Sequence, residues 1–142
     1  MQHAVDLDYE ALLRFRVAMR EFSHWSEQQA AAVGLTHAQH QLLLAVKGHP
    51  DPKGPTIGDV AGYLLIRHHS AVELAGRTET LGFIKRQRDK QDRRVVRLAL
   101  TARGERSIKK LTSAHLRELR TLGPALRGVT EESGGLPRQR VS

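Results

Sequence analysis

Between Gly82 and Thr101 the chain changes period. Before Gly82 its apolar residues recur every three or four positions, from Phe83 to Leu100 they alternate, and after Thr101 the helical spacing returns. A chain of 142 residues patterned in this way reads as one mainly α-helical domain with a small β wing. Phe83–Arg88 reads as one strand and Val95–Leu100 as its partner, with Val96, Leu98 and Leu100 on one face. The intervening Asp89-Lys90-Gln91-Asp92-Arg93-Arg94 is too polar for burial and is expected as the exposed tip of a hairpin.

The flanking helices carry their own start and stop signals. Asp8 to Val33 sets Leu12, Phe15, Met19, Phe22 and Trp25 on one stripe, with Asp6 or Asp8 to cap it and Gly34 to close it. Thr36 and Gln39 form a capping box for a second helix, which carries Leu42, Leu43 and Val46 and runs to about Lys47. Two glycines and three prolines between Gly48 and Pro55 demand a loop. Thr56 and Asp59 form a weaker box for a short helix with Ile57, Val60, Ala61 and Leu64 on one side. Another helix starts near His68, points Ala71, Leu74, Ala75 and Leu81 inward, and closes at Gly82. Two short helices so joined make a helix-turn-helix. Past the hairpin, Thr101 caps a last helix with a seam of Ile108, Leu111, His115, Leu119, Leu122 and Leu126. Gly123-Pro124 is expected to kink or end it. Residues 133–142 read as a flexible polar tail, and no internal repeat is visible.

Charge narrows the partners. Lys and Arg number 23 against 15 Asp and Glu, a formal +8. Seven basic side chains between Lys85 and Arg97, offset by Asp89 and Asp92, hold +5 of that excess. The ordinary reading of a charge run is a solvated face. This one lies on a protruding hairpin directly after a helix-turn-helix, the arrangement of a winged helix. One helix of such a fold enters the major groove while the basic hairpin grips backbone or minor groove. The chain has no cysteine, which removes disulfides, thiolate zinc sites and thiol nucleophiles together. The longest apolar run, Leu42 to Val46, is far short of the roughly 18 residues of a membrane span, and the N-terminus shows no signal-peptide pattern. A cytoplasmic protein without a membrane partner is expected.

Asp92-Arg93-Arg94-Val95-Val96-Arg97-Leu98-Ala99-Leu100-Thr101-Ala102-Arg103-Gly104 resembles the wing signature of the MarR family of bacterial transcriptional regulators: Asp-x-Arg, three residues, Leu-x-Leu-Thr, then Gly. The order of elements matches as well, over about residues 8–126. The resemblance implies a homodimer held by helices over 8–33 and 101–126, with a winged-helix DNA-binding lobe over 36–100. It implies binding to double-stranded DNA at a pseudo-palindromic operator, by the family's habit as a repressor. It often implies release by a small aromatic or phenolic effector. On the wing it assigns Arg94 to the minor groove and Asp92 to orienting the neighbouring basic groups. A narrow minor groove concentrates negative potential that a guanidinium can reach. Arg88, Lys90 and Arg93 would contact phosphates.

The recognition helix departs from the family pattern. Arg67 stands where a Ser or Thr cap is usual, and a cation there can meet a phosphate directly. The outward face comprises His68, His69, Ser70, Val72, Glu73 and Arg77. Ser70 and His69 can bond base edges, Val72 can touch a thymine methyl, and Glu73 can accept from a cytosine amine. Thr78 stands where the family tends to bury a leucine, so a looser site is expected there. The C-terminal region reads as short and interrupted beside the family's usual last helix.

Competing readings are weaker. His37 and His40, three apart, suit two ligands of one metal, but no HExxH motif surrounds them and helix-start histidines explain them more simply. No metal or cofactor is expected. The stripe of the first helix is core or dimer interface by default; seen from a cavity, Phe22 and Trp25 would be pocket walls, and Arg16 or His115 could pair with a ligand carboxylate. Ser23 and Ser26 have no nucleophile setting, so no enzyme is expected. A basic RNA-binding or ribosome-associated module would use the same charge without needing a palindrome or a dimer. The basic segment lacks the stacking aromatics usual in single-strand readers.

Overall fold

The computed structural model describes residues 7–132. In chain order the elements are α1 (Tyr9–Ala32), α2 (His37–Gly48), α3 (Ile57–Leu64), α4 (His68–Thr80), β1 (Ile84–Arg88), β2 (Val96–Leu100) and α5 (Ala102–Glu132). They form two compact units, Glu27–Ser113 and a terminal unit made of residues up to Ser26 together with those from Ala114 onward. Asp6 and the tail expected over 133–142 lie outside the described residues.

Local chemistry starts and stops the helices where the sequence signals stand. The Asp8 carboxylate accepts from the Ala11 amide at 2.9 Å, and Gly34 follows α1 with φ +82°. Both capping boxes form reciprocally: Thr36 with Gln39, and Thr56 with Asp59. Arg67 makes no side-chain cap for α4. Gly82 takes φ +85° after α4, and the Gly82 amide bonds back to Glu79. The Thr101 hydroxyl accepts from the Gly104 amide at 3.1 Å and donates to the Gly82 carbonyl at 2.6 Å, so one cap starts α5 and ties it to the end of α4.

The larger unit has its own core. Leu42 and Leu43 of α2, Val60 of α3, Ala71 and Ala75 of α4, Ile84 and Leu98 of the hairpin and Ile108 of α5 are all buried. Phe83, just before β1, is buried as well, and the Arg103 guanidinium lies 4.2 Å from its ring centroid. The strands pair antiparallel with Ile84 opposite Leu100, Arg86 opposite Leu98 and Arg88 opposite Val96. That register turns Leu98 to the core.

Four expectations need correction. Leu81 is exposed rather than inward: it is the C-cap residue of α4, beyond Thr78, the last buried residue of the helix. Asp89, expected in the polar tip, is buried because Arg97 lies diagonally across the strand pair and neutralises it at 2.7 Å. Thr78 is not loose: it is wholly buried, and its hydroxyl donates to the Leu74 carbonyl at 2.7 Å. Of the two outcomes expected at Gly123-Pro124, a kink or an end, the end does not occur: α5 runs on to Glu132 with Pro124 inside it, so the C-terminal region is not short. A proline removes one amide donor and crowds one carbonyl. The stripe of Leu119, Leu122 and Leu126 continues across it, and that favours keeping the helix.

Candidate nucleic-acid interface

Helix α4 divides cleanly between core and solvent. Ala71, Ala75 and Thr78 are buried, while Arg67, His68, His69, Val72, Glu73 and Arg77 are exposed and Ser70 is half-buried. The predicted outward face is therefore brought together on one side. At its far end α4 is tied to the hairpin: Glu79 accepts from the Arg86 amide at 2.8 Å and pairs with the Arg86 guanidinium at 3.5 Å.

The hairpin tip is organised around its own aspartates. The Asp89 amide donates to the Val95 carbonyl, and the Val95 amide to the Asp92 carbonyl, at 2.9 and 3.0 Å. One oxygen of Asp89 accepts from the amides of Gln91 and Asp92 at 2.8 and 3.2 Å. The other accepts from the Arg97 guanidinium at 2.7 Å. With the Arg97 bond contributing most, these contacts hold the Asp89 carboxyl down at about 2 and raise Arg97 above its ordinary value. Asp92 grips Arg94 at both oxygens, 3.1 Å to Nε and 3.2 Å to Nη2, and accepts from the Arg94 amide as well. Those bonds lower the Asp92 carboxyl. The Arg94 side chain nevertheless stays 91% exposed. Arg88 donates to the Arg93 carbonyl at 3.1 Å, while Lys90 and Arg93 stand exposed nearby.

Beside the tip is a concavity of about 350 Å³ lined by Lys53, Gln87, Arg88, Asp89, Lys90, Gln91 and Arg97. Sequence reasoning missed Lys53 and the structural use of Arg97. The alternation of the strand did contain a signal for Arg97. It sits one position off the inner face, opposite Gln87 and hence diagonal to Asp89. Nothing local marked Lys53, because its neighbourhood depends on how the α2–α3 loop returns to the sheet.

In the terminal unit, Phe22, Trp25 and His115 do come together. The His115 ring lies 4.8 Å from Trp25 and 5.8 Å from Phe22, edge-on to the latter, between ring centroids. His115 Nε2 shares a 2.7 Å hydrogen bond with the hydroxyl of buried Ser26, a partner the sequence did not suggest. Arg16 is exposed on α1, six positions before Phe22 and so about 9 Å away along the axis. Of the histidines weighed as ligands, His37 is exposed and His40 buried. Among the described residues no group of three or more His, Cys, Asp or Glu could hold a metal ion, and no helix is long and apolar enough to cross a membrane.

Comparison with known proteins gives the same fold. Residues 33–95 match the sequence model of the MarR family. No curated protein sequence matches the chain. Among solved structures, MepR, a transcription regulator of the Staphylococcus aureus multidrug efflux pump MepA, is similar at TM-score 0.70 and 24% identity, over 83% of this chain and 84% of that one. An S. aureus MepR–DNA complex is similar at TM-score 0.66 and 24% identity, over 76% of each chain. A MarR family protein from Bacillus stearothermophilus is similar at TM-score 0.65 and 25% identity, over 80% of this chain and 75% of that one.

Proposed function

We propose that the chain, whose residues 33–95 match the sequence model of the MarR family, acts as a member of that family: a homodimeric repressor binding a pseudo-palindromic DNA operator. One observation carries the reading: Arg94 is 91% exposed yet held at both ends of the Asp92 carboxylate. A long side chain in water ordinarily samples many rotamers. One that is preorganised and still open to solvent loses less entropy when it inserts into a narrow, electronegative minor groove. The outward face of α4 then faces base edges, with His69, Ser70, Val72 and Glu73 as readers and Arg67, His68 and Arg77 at its margins. Arg88, Lys90 and Arg93 supply backbone contacts that hold register without reading sequence. The similarity to the MepR–DNA complex supports this use of the fold.

Dimerisation is supported by the terminal unit, where Leu12, Leu13, Leu116 and Leu119 are exposed in a helical protein that has little reason to leave them in water. Two recognition helices about 34–36 Å apart would enter successive major grooves. The Phe22–Trp25–His115 cluster is the proposed seat of a small aromatic effector, with Arg16 as a more remote carboxylate partner. A mobility-shift titration and footprint on DNA flanking the protein's own gene, repeated with a panel of aromatic acids, test the whole reading. A protected palindrome at low nanomolar protein is expected, and equal binding to every duplex would overturn sequence-specific recognition.

A further inference from the structure

Arg97 lies on the face of β2 opposite the core-facing Leu98, where the α2–α3 loop passes the sheet. Its Nε donates to Asp89 at 2.7 Å, its Nη1 donates to the Gly54 carbonyl at 2.9 Å, and the Asp51 carboxylate is 3.8 Å from the same nitrogen. One guanidinium thus joins β2, the first residue of the hairpin tip and the loop. Backbone contacts run alongside it: the Leu98 amide donates to the Pro55 carbonyl at 2.9 Å, and Thr56 bridges to Arg97 as a short third partner of the sheet. Gly54 permits this approach, since it takes φ +88° and a Cβ there would collide with the Leu98 carbonyl.

The connection continues outward. The carboxylate that accepts from Arg97 also accepts from the Gln91 and Asp92 amides, and Asp92 in turn grips Arg94. We propose that Arg97 is the positioning residue of the wing, locking the hairpin tip to the α2–α3 loop so that Arg94, Arg88, Lys90 and the loop's Lys53 present their charges as one fixed array. Arg97 is not itself a phosphate ligand. Its side chain is 20% exposed, against 91% for Arg94, and two of its nitrogens are already committed. The consequence for DNA rests on the reading above, whereas the anchor is a property of the free protein.

The test therefore has two arms, read on full-length Arg97→Gln. Hydrogen exchange of the free protein should speed up on the order of tenfold across residues 89–95 while α2 and α4 keep their protection. Operator affinity should fall on the order of tenfold, and Arg97→Gln should cost clearly less in an Arg94→Ala background than in the wild type, because part of its effect runs through the positioned Arg94 guanidinium and the rest through Arg88, Lys90 and Lys53. Unchanged exchange at the tip would overturn the anchor. Unchanged affinity, or losses that simply multiply in the double variant, would overturn its role in positioning Arg94. Should Arg97→Gln fail to fold, Asp89→Asn cuts the same link from its other end and is judged by the same criteria. A wild-type protein that ignores duplex DNA overturns the DNA-binding reading instead, and the exchange arm still decides the anchor.

Discussion

Arg94 and Arg97 are three residues apart and each pairs with an aspartate, yet the pairs do different work. The Asp92–Arg94 pair is open to water, where an ion pair adds little to stability. Arg94→Ala should therefore leave the thermal midpoint within a degree or two while operator affinity drops about 10- to 100-fold, the scale of one lost groove contact. Affinity unchanged in a mobility-shift titration would remove Arg94 from the interface. The Asp89–Arg97 pair is screened from water, and Asp89 titrates near 2 rather than 3.8. A carboxylate depressed on folding contributes stability above its unfolded value and loses it as pH falls through the folded one. Between pH 5 and 8 Asp89 adds no slope. The stability difference between wild type and Asp89→Asn should hold over that range and shrink between about pH 4 and pH 2, as followed by thermal melts. Leu65 shows a different cost. It ends α3 at φ +55°, a left-handed conformation, with a side chain 92% exposed. Leu65→Gly removes that strain and surrenders almost no burial, so a gain of about 1 kcal/mol in urea unfolding is expected.

At the scale of elements, what the sequence revealed and what it hid divide by distance along the chain. Both capping boxes, the glycine after each of α1 and α4 and the Thr101 cap act within four residues, and each formed where its residues stood. The inner face of β2 was legible from alternation, with Leu98 buried between half-buried Val96 and Leu100, whereas the pairing of the two strands was not. Asp89 was misread because its partner Arg97 lies eight residues on and across a turn, and charge alone does not say which aspartate will be neutralised. Thr78 was misread for a related reason: a hydroxyl bonded to the carbonyl one turn back fills an apolar site without an unpaired donor. Of the outward residues on α4, the exposure pattern was legible from helical spacing, while Lys53 depended on a loop path no local signal encodes. Gly104 shows how a tertiary contact reverses a local preference. Glycine inside a helix ordinarily costs about 1 kcal/mol relative to alanine. Here a Cβ would collide with the Phe83 carbonyl and crowd Leu100, so Gly104→Ala should destabilise, by about 1–3 kcal/mol. A stabilised Gly104→Ala in denaturant unfolding would show that α5 does not seat on the hairpin as described.

For the whole molecule, the proposed dimer would couple charge to association. Arg88, Lys90 and Arg93 from each of two copies would neutralise about six phosphates, and log affinity should then fall against log salt with a slope near about −5. A single copy offers half that. The slope thus reports on assembly as well as on electrostatics. The exposed leucines of the terminal unit provide the independent handle, because Leu116 lies on α5, away from every basic residue of the wing in sequence. Leu116→Glu introduces a charge that a second copy could not bury without desolvating it. Sedimentation should show wild type as a dimer at micromolar concentration and the variant shifted toward monomer, with the larger unit's melting unchanged. The variant's salt slope should fall toward about half the wild-type value, and its preference for a full palindrome over a half-site should vanish. A wild-type monomer, or a monomeric variant that keeps both slope and palindrome preference, would mean that the two recognition helices are not delivered as a pair.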